Sequence, residues 1–119
     1  MEYTFAAEAN VLRVRAWGRD SRDVPSPGIC QSIFAAAKEH GVTRILIELT
    51  QSVALSAVAQ FQIVDRMPSL GLTPLHRVAF VHHTPGLREA SDMIDIAAAN
   101  RGLNVCNFAD VESALAWLG

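Results

Sequence analysis

The sequence predicts a single α/β domain that covers residues 1–119, with strands and helices in the order ββαβαβαβα. Short apolar runs alternate along the chain with longer segments in which apolar residues recur every three or four positions, as they do in amphipathic helices. Glycine, proline and helix-capping residues stand at the borders between these segments. Half of the residues are hydrophobic, which is enough for one core. The expected sheet has five strands, mostly parallel, with an antiparallel strand at its N-terminal edge.

The first two strands are expected to form an antiparallel hairpin. Residues 3–7 alternate weakly between apolar and polar side chains, and residues 8–10 suit a turn. Residues 11–17 alternate strictly, so neighbouring side chains point to opposite faces of the sheet. One face of this strand carries Leu12, Val14 and Ala16, and the other carries Arg13, Arg15 and Trp17.

Three further strands and four helices complete the predicted fold. Pro27 suits the first position of a helix, and Gly41 and Gly102 suit helix ends, where a left-handed residue is favoured. The segment from Pro68 to Pro74 is expected to break the second helix, helped by Gly71. The strands are predicted over 44–49, 78–81 and 103–108, and the helices over 29–40, over 53–67, from Thr84-Pro85 to Gly102, and from a cap at Asp110 to Leu118.

The order of the elements predicts helices mainly on one face of the sheet, because right-handed crossovers that continue in one direction put their helices on the same side. Arg15 and Glu48 are expected to pair across neighbouring strands of the opposite, open face. Since both faces of strand 78–81 are apolar, that open face should present a charged rim that runs into an apolar patch, a composition typical of binding surfaces. The candidate interaction surface consists of Arg13, Arg15, Trp17, Leu46 and Glu48.

Chemical motifs are sparse, and the chain is expected not to be an enzyme. It has no nucleotide-binding glycine pattern, no nucleophile elbow and no cluster with metal-ligand spacing, so neither a cofactor nor a metal is predicted. His82 and His83 lie at the carboxyl end of a strand, where α/β proteins often bind ligands, but adjacent strand residues point to opposite faces and do not readily chelate one metal. Together with Ser52 they form a candidate ligand site at the strand ends.

Charge and composition indicate an ordinary protein surface. The net charge is −2, and no basic stripe is interleaved with aromatic residues, so nucleic-acid binding is not expected. The two cysteines, Cys30 and Cys106, form no Cys-x-x-Cys pair and suit small buried positions. No signal-peptide pattern and no apolar segment of about 18 residues occurs, which predicts a cytoplasmic protein without a membrane span.

The pattern resembles the small STAS/CRAL-TRIO-like family, also called SpoIIAA-like proteins. The resemblance rests on Arg44–Leu49 as the central strand, Arg77–Val81 as the next, Ala99–Gly102 before Val105–Phe108, and Glu112–Leu118 at the end. It implies a βα superhelix that runs in one direction, in agreement with the order of the elements. Some relatives are switched by phosphorylation of a serine in an Asp-Ser-Ser-Gly or similar motif, and others hold a lipid against the sheet. The Asp-Ser-Gly signature is missing here, so Ser52 and Ser56 are expected to act as helix caps rather than phosphorylation sites.

The resemblance implies a non-enzymatic regulatory or protein-interaction module. The alternative is a carrier or sensor of a small apolar, lipid-like ligand, and a third hypothesis is an enzyme that uses His82 or His83. A homodimer is the expected default assembly, and a regulatory protein or a small apolar ligand is the other expected partner.

Overall fold

The computed structural model describes residues 2–8, 10–17, 27–50, 57–83, 86 and 92–119. Within these residues the chain forms the predicted alternation of strands and helices in a single α/β domain. Residues 18–26, the predicted start of the second helix, and the Thr84-Pro85 cap lie outside the described residues. The elements are β1 (Glu2–Glu8), β2 (Val11–Trp17), α1 (Pro27–Glu39), β3 (Arg44–Thr50), α2 (Ala57–Leu70), β4 (Arg77–His82), α3 (Asp92–Asn100), β5 (Asn104–Phe108) and α4 (Val111–Leu118).

The strands form one mixed sheet in the order β1-β2-β3-β4-β5. β1 pairs antiparallel with β2, and every later pair is parallel. Each new strand is therefore added beside the previous one, which confirms the predicted sheet with its antiparallel N-terminal edge strand.

Helix α2 ends about one turn later than predicted. Pro68 was expected to break this helix, but it lies within the last helical turn. The helix instead ends at Gly71, whose φ of 125° favours glycine. The N–H of Leu72 reaches back to the carbonyl of Met67, and that of Gly71 to the carbonyl of Pro68, as in a Schellman motif. A proline near a helix end removes one hydrogen bond without stopping the helix.

Helices α1, α2 and α3 cover one face of the sheet, which we call the three-helix face. Alternate residues of the central strands point to it, because strand side chains alternate between faces. The helices contribute apolar side chains to the same core, including Phe34, Ala37, Val64, Met67, Ile94 and Ala98. The strand side of that core comprises Leu12, Val14, Ile45, Ile47, Leu49, Val78, Phe80 and Val105.

The expectation that the other face carries no helix is wrong, because α4 lies on it. Ala114 and Leu118 of α4 form a second core with Leu46, Ala79 and Val81, and we call this side of the sheet the α4 face. The crossover rule applies to a helix that joins two parallel strands. Within the described residues α4 does not join two strands, so this rule does not determine the face on which it lies.

Two features hold α4 in place. Trp117 is half-buried beside Phe108 of β5, with ring centroids 5.6 Å apart. At the helix start, the predicted cap Asp110 accepts a hydrogen bond from the Ser113 backbone N–H at 2.7 Å, and this bond lowers the pKa of the Asp110 carboxyl.

Candidate functional site

A charged cluster lies on the α4 face, beyond the side chains that α4 covers. At its centre is the carboxylate of Glu48, whose side chain is 7% exposed. Glu48 Oε2 accepts hydrogen bonds from Arg13 Nε at 2.6 Å and from Arg15 Nε at 3.4 Å. Glu48 Oε1 accepts a bond from His83 Nε2 at 3.0 Å. We call Arg13, Arg15, Glu48 and His83 the Glu48 cluster.

Strand register brings these residues together. Arg15 of β2 lies directly opposite Glu48 of β3, and Arg13 lies opposite Leu46, one step along the same face. His83 follows β4 and is held against β3 because its backbone N–H donates to the Leu49 carbonyl at 3.1 Å. The predicted contact between Arg15 and Glu48 is thus confirmed, and the structure adds Arg13 and His83 to it.

The cluster strongly favours the ionised form of Glu48. The hydrogen bond from Arg13 is the main cause, and the bond from His83 also favours the ionised form. Together they lower the pKa of Glu48 to about 2, although burial by itself would raise it. The same bond raises the pKa of the Arg13 guanidinium. Glu8 adds a weaker contact on the far side of Arg13, with 3.7 Å between Glu8 Oε2 and Arg13 Nη1.

The hydrogen bonds of Glu48 fix the protonation pattern of His83. A carboxylate only accepts hydrogen bonds, so the Nε2 that contacts it carries the proton, and in the neutral ring Nδ1 is the acceptor. The His83 side chain is 43% exposed, and that of Arg15 is 65% exposed. The cluster therefore presents to solvent one guanidinium and one imidazole whose positions are set by a buried carboxylate.

His82 belongs to a different arrangement on the three-helix face. Asn107 Nδ2 donates to Asp95 Oδ1 at 2.9 Å, which orients the Asn107 amide so that its Oδ1 accepts a bond from His82 Nε2 at 2.6 Å. The Asn107 backbone N–H also donates to Asp95 Oδ1. His82 and Asn107 are buried, so this chain ties β4 to β5 and α3. As predicted, His82 and His83 point to opposite faces, but they therefore do not lie together in the candidate ligand site at the strand ends.

A third polar contact joins α4 to the start of the central strands. Arg44 Nε donates to the Leu118 carbonyl at 2.7 Å, and Arg77 Nη1 donates to the Trp117 carbonyl at 3.2 Å. These arginines lie opposite each other in the β3–β4 register. They satisfy carbonyls at the helix end and place positive charge at its negative pole. Sequence reasoning did not predict this contact, because it placed no helix on that side.

The remaining predicted site residues are not gathered into the cluster. Leu46 is fully buried beneath α4, so the expectation that it lies on an open surface is wrong. Glu48 is also buried, so its carboxylate contacts the side chains of the cluster and is not itself presented on the surface. The side chain of Trp17 and all of Ser52 lie outside what the structure describes.

The described residues contain neither a group of side chains that could hold a metal ion nor a helix that could cross a membrane. No group of three or more His, Cys, Asp or Glu side chains in this part of the chain is placed to hold a metal ion. None of the described helices is long and apolar enough to cross a membrane.

Comparison of the chain with protein-family models, with curated proteins and with solved structures found no match.

Proposed function

We propose that this chain is a non-enzymatic, STAS-like regulatory or protein-interaction module of the cytoplasm. The observation that carries the proposal is the Glu48 cluster, in which a buried carboxylate holds Arg15 and His83 on the α4 face beside the area that α4 covers.

Side chains that are held in place before binding favour the interpretation of the cluster as a recognition site over that of an ordinary solvated surface. A free arginine loses rotamer freedom when a partner immobilises it, at a cost of roughly 0.5–1.5 kcal/mol per side chain. The 3.0 Å bond to Glu48 restricts His83 before any partner arrives, and the longer 3.4 Å contact restricts Arg15 to a smaller degree. Arginine is also enriched among the residues that dominate protein interfaces.

The surroundings of Arg15 suit a flat contact. Thr4 of β1 lies opposite Arg15, and Ala6 lies opposite Arg13. Both Thr4 and Ala6 are exposed and small, so the guanidinium of Arg15 stands above a low sheet surface. A partner with an acidic group facing Arg15 complements this surface in shape and charge.

The resemblance supports a module of this class. It implies a sheet that grows in one direction, and the observed strand order β1-β2-β3-β4-β5 agrees with that topology. Fold alone does not assign a function. The proposal therefore rests on the Glu48 cluster, and the strand order is consistent with it.

A second copy of the chain is the default partner in this proposal. β1 ends the strand order, and within the described residues no strand pairs with its outer edge. Such an edge offers unpaired backbone groups to another strand. Light scattering coupled to size-exclusion chromatography is expected to give twice the chain mass of 12.9 kDa. A mass of one chain at all concentrations would remove the homodimer from the proposal.

The alternative of an apolar-ligand carrier loses its expected binding surface. The open face was expected to become apolar toward the fourth strand, but α4 buries Ala79 and Val81 of that strand together with Leu46. No other feature of the described residues favours the carrier, so we propose it only as the second choice. Native mass spectrometry of freshly purified protein would reveal a retained ligand.

The main experiment compares partner capture by three forms of the chain. Wild type, Arg15→Glu and Arg66→Glu are used as baits in lysate of the native host, followed by quantitative mass spectrometry. Arg66 is the matched control because it is an exposed arginine on α2, away from the cluster. We expect a protein captured by wild type and by Arg66→Glu but lost with Arg15→Glu. Equal capture by both variants would refute the role of the cluster.

A further inference from the structure

We infer that two copies of the chain join through their β1 strands in an antiparallel register centred on Ala6, with Glu8 of each copy forming an ion pair with Arg15 of the other. This inference rests on the homodimer of the proposed function and deepens it, because it names the strand register and the acidic group that faces Arg15. The two five-stranded sheets then form one continuous sheet.

The first step is the outer edge of β1, which lacks the features that usually prevent a sheet edge from pairing. β1 is seven residues long and pairs with β2 one residue to one from Glu2 to Glu8, so it contains no bulge. It contains neither proline nor lysine. Natural edge strands are commonly short, bulged or protected by such residues. Since β5 at the opposite edge has only five residues, β1 is the edge better suited to accept another strand.

The second step is the exposure of β1 on both sides of the sheet. Thr4, Ala6 and Glu8 alternate along the α4 face, Ala7 lies on the three-helix face, and all four are exposed. Three of these four side chains are small, so a second backbone is able to approach closely. A two-fold axis perpendicular to the sheet relates two antiparallel copies and keeps their three-helix faces on the same side.

The third step is the charge on the α4 face, which selects the register. Arg15 Nε is 3.4 Å from Glu48, a weak contact, and the Arg15 side chain is 65% exposed. Within one chain Thr4 lies directly opposite Arg15. If the Ala6 residues of two copies lie opposite each other, Glu8 of one copy lies opposite Thr4 of the other. Glu8 and Arg15 of the other copy then share one face and are separated only by Thr4.

The fourth step is the distance that this ion pair has to span. Neighbouring strands are about 4.8 Å apart, so the backbones of Glu8 and of Arg15 in the other copy lie roughly 10 Å apart. The extended side chains of a glutamate and an arginine together cover this distance. The Glu8 side chain is 60% exposed, and its contact with Arg13 of its own chain is a long one of 3.7 Å. Two-fold symmetry makes the same ion pair twice.

The neighbouring registers lack this match of charges. A register centred on Phe5 would place Glu8 opposite Glu2 of the second copy, and like charges directly opposite each other destabilise an antiparallel pair. A register centred on Thr4 would leave Glu8 beyond the described start of the second β1 strand. The register centred on Ala6 is therefore the one that the charges favour.

Substitution of the two charged residues tests the ion pair. Glu8→Gln and Arg15→Gln should each raise the dissociation constant of the dimer about three- to tenfold in sedimentation equilibrium, because each removes two surface ion pairs. The double variant should dissociate no more readily than either single variant. Glu39→Gln, an exposed glutamate at the end of α1, should behave as wild type. Unchanged dissociation, or independent losses that multiply in the double variant, would refute the pair.

Cysteine cross-linking tests the register. In a chain with both native cysteines replaced, Cys30→Ser and Cys106→Ser, the change Ala6→Cys places two thiols directly opposite each other. Opposite Cα atoms in an antiparallel pair are about 4.5–5.5 Å apart, within the range of a disulfide. We expect a covalent dimer after mild oxidation with diamide. Thr4→Cys is the matched control, since two Thr4 residues would lie roughly 14 Å apart in this register.

The pattern of cross-links decides between the registers. Cross-linking by Ala6→Cys and not by Thr4→Cys supports the inference. Cross-linking by Thr4→Cys alone would show a register centred on Thr4, cross-linking only in a mixture of the two variants would show one centred on Phe5, and either result would overturn the inference. A particle with the mass of two chains but without any cross-link would also overturn it while leaving the homodimer of the proposed function intact. A mass of one chain would remove both, and the partner-capture comparison would still stand on its own result.

Discussion

Replacement of Glu48 by glutamine tests how much stability depends on the charge at the centre of the cluster. Glutamine keeps the shape of the side chain and one acceptor oxygen, so the change mainly removes charge. In the folded chain the pKa of Glu48 falls from an ordinary 4.5 to about 2, chiefly because Arg13 donates to it. That difference corresponds to about 3 kcal/mol in favour of the folded state when the carboxylate is ionised. We expect Glu48→Gln to lower the free energy of unfolding by about 2–3 kcal/mol at neutral pH.

The lowered pKa of Glu48 determines how the stability of the folded chain changes with pH. The folded-state pKa is depressed, so the contribution of Glu48 is complete above the unfolded value of 4.5 and is lost as the pH falls towards about 2. Between these values the unfolded chain binds a proton that the folded chain does not, and the wild type loses stability. Glu48→Gln lacks this component, so the difference between the two proteins should shrink over the same interval.

Urea unfolding followed by circular dichroism, repeated from about pH 7 to about pH 2, measures this difference. Glu39→Gln is the control, because Glu39 is exposed at the end of α1 and should change stability by less than about 0.5 kcal/mol. If wild type and Glu48→Gln lost stability in parallel as the pH falls, the assignment of a charged, bonded Glu48 would be refuted.

Three further substitutions test the contacts that shape the fold. Arg44→Gln removes the bond to the Leu118 carbonyl and should destabilise by about 1–2 kcal/mol in thermal unfolding, against no change for Arg66→Gln. Leu118→Ala empties a fully buried position and should cost about 2–5 kcal/mol in urea, with increased binding of a hydrophobic dye if α4 loosens. Gly71→Ala should destabilise by about 1–3 kcal/mol in urea unfolding, because φ is 125° and a Cβ would lie 3.2 Å from Phe34 Cβ. Wild-type stability in any of these variants would contradict the corresponding contact.

The sequence predicted the register of the charged cluster because alternation along a strand is a strict signal. Residues 11–17 alternate without a break, so Arg15 had to share a face with Glu48 if β2 and β3 are neighbours. The shorter bond from Arg13 was not predicted, since it crosses diagonally and depends on side-chain reach rather than on register. His83 joins the cluster from beyond the end of β4, where alternation no longer applies.

The placement of the last helix shows where pattern reasoning stops. Apolar residues on both faces of β4 correctly indicated that something apolar lies on each side of the sheet. They did not indicate whether the apolar residues on the second face are covered by another part of the same chain or by a partner protein. Within the described residues α4 joins no pair of parallel strands, so the crossover rule did not predict the face on which it lies. A similar limit applies to Pro68, where the exact end of α2 depended on the Gly71 turn.

The long-range contact of α4 also bears on the order in which the chain folds during synthesis. The bond between Arg44 and the Leu118 carbonyl joins residues 74 positions apart. The three-helix face is assembled from residues 12–105, and it is able to form before the last helix has left the ribosome. Until the eight residues of α4 are made, Leu46, Ala79 and Val81 are uncovered on the central strands. The nascent domain therefore passes through a stage in which the three-helix face is packed while apolar residues of the α4 face are exposed. The synthesis of α4 covers these residues and ends the period in which the domain is most prone to aggregate.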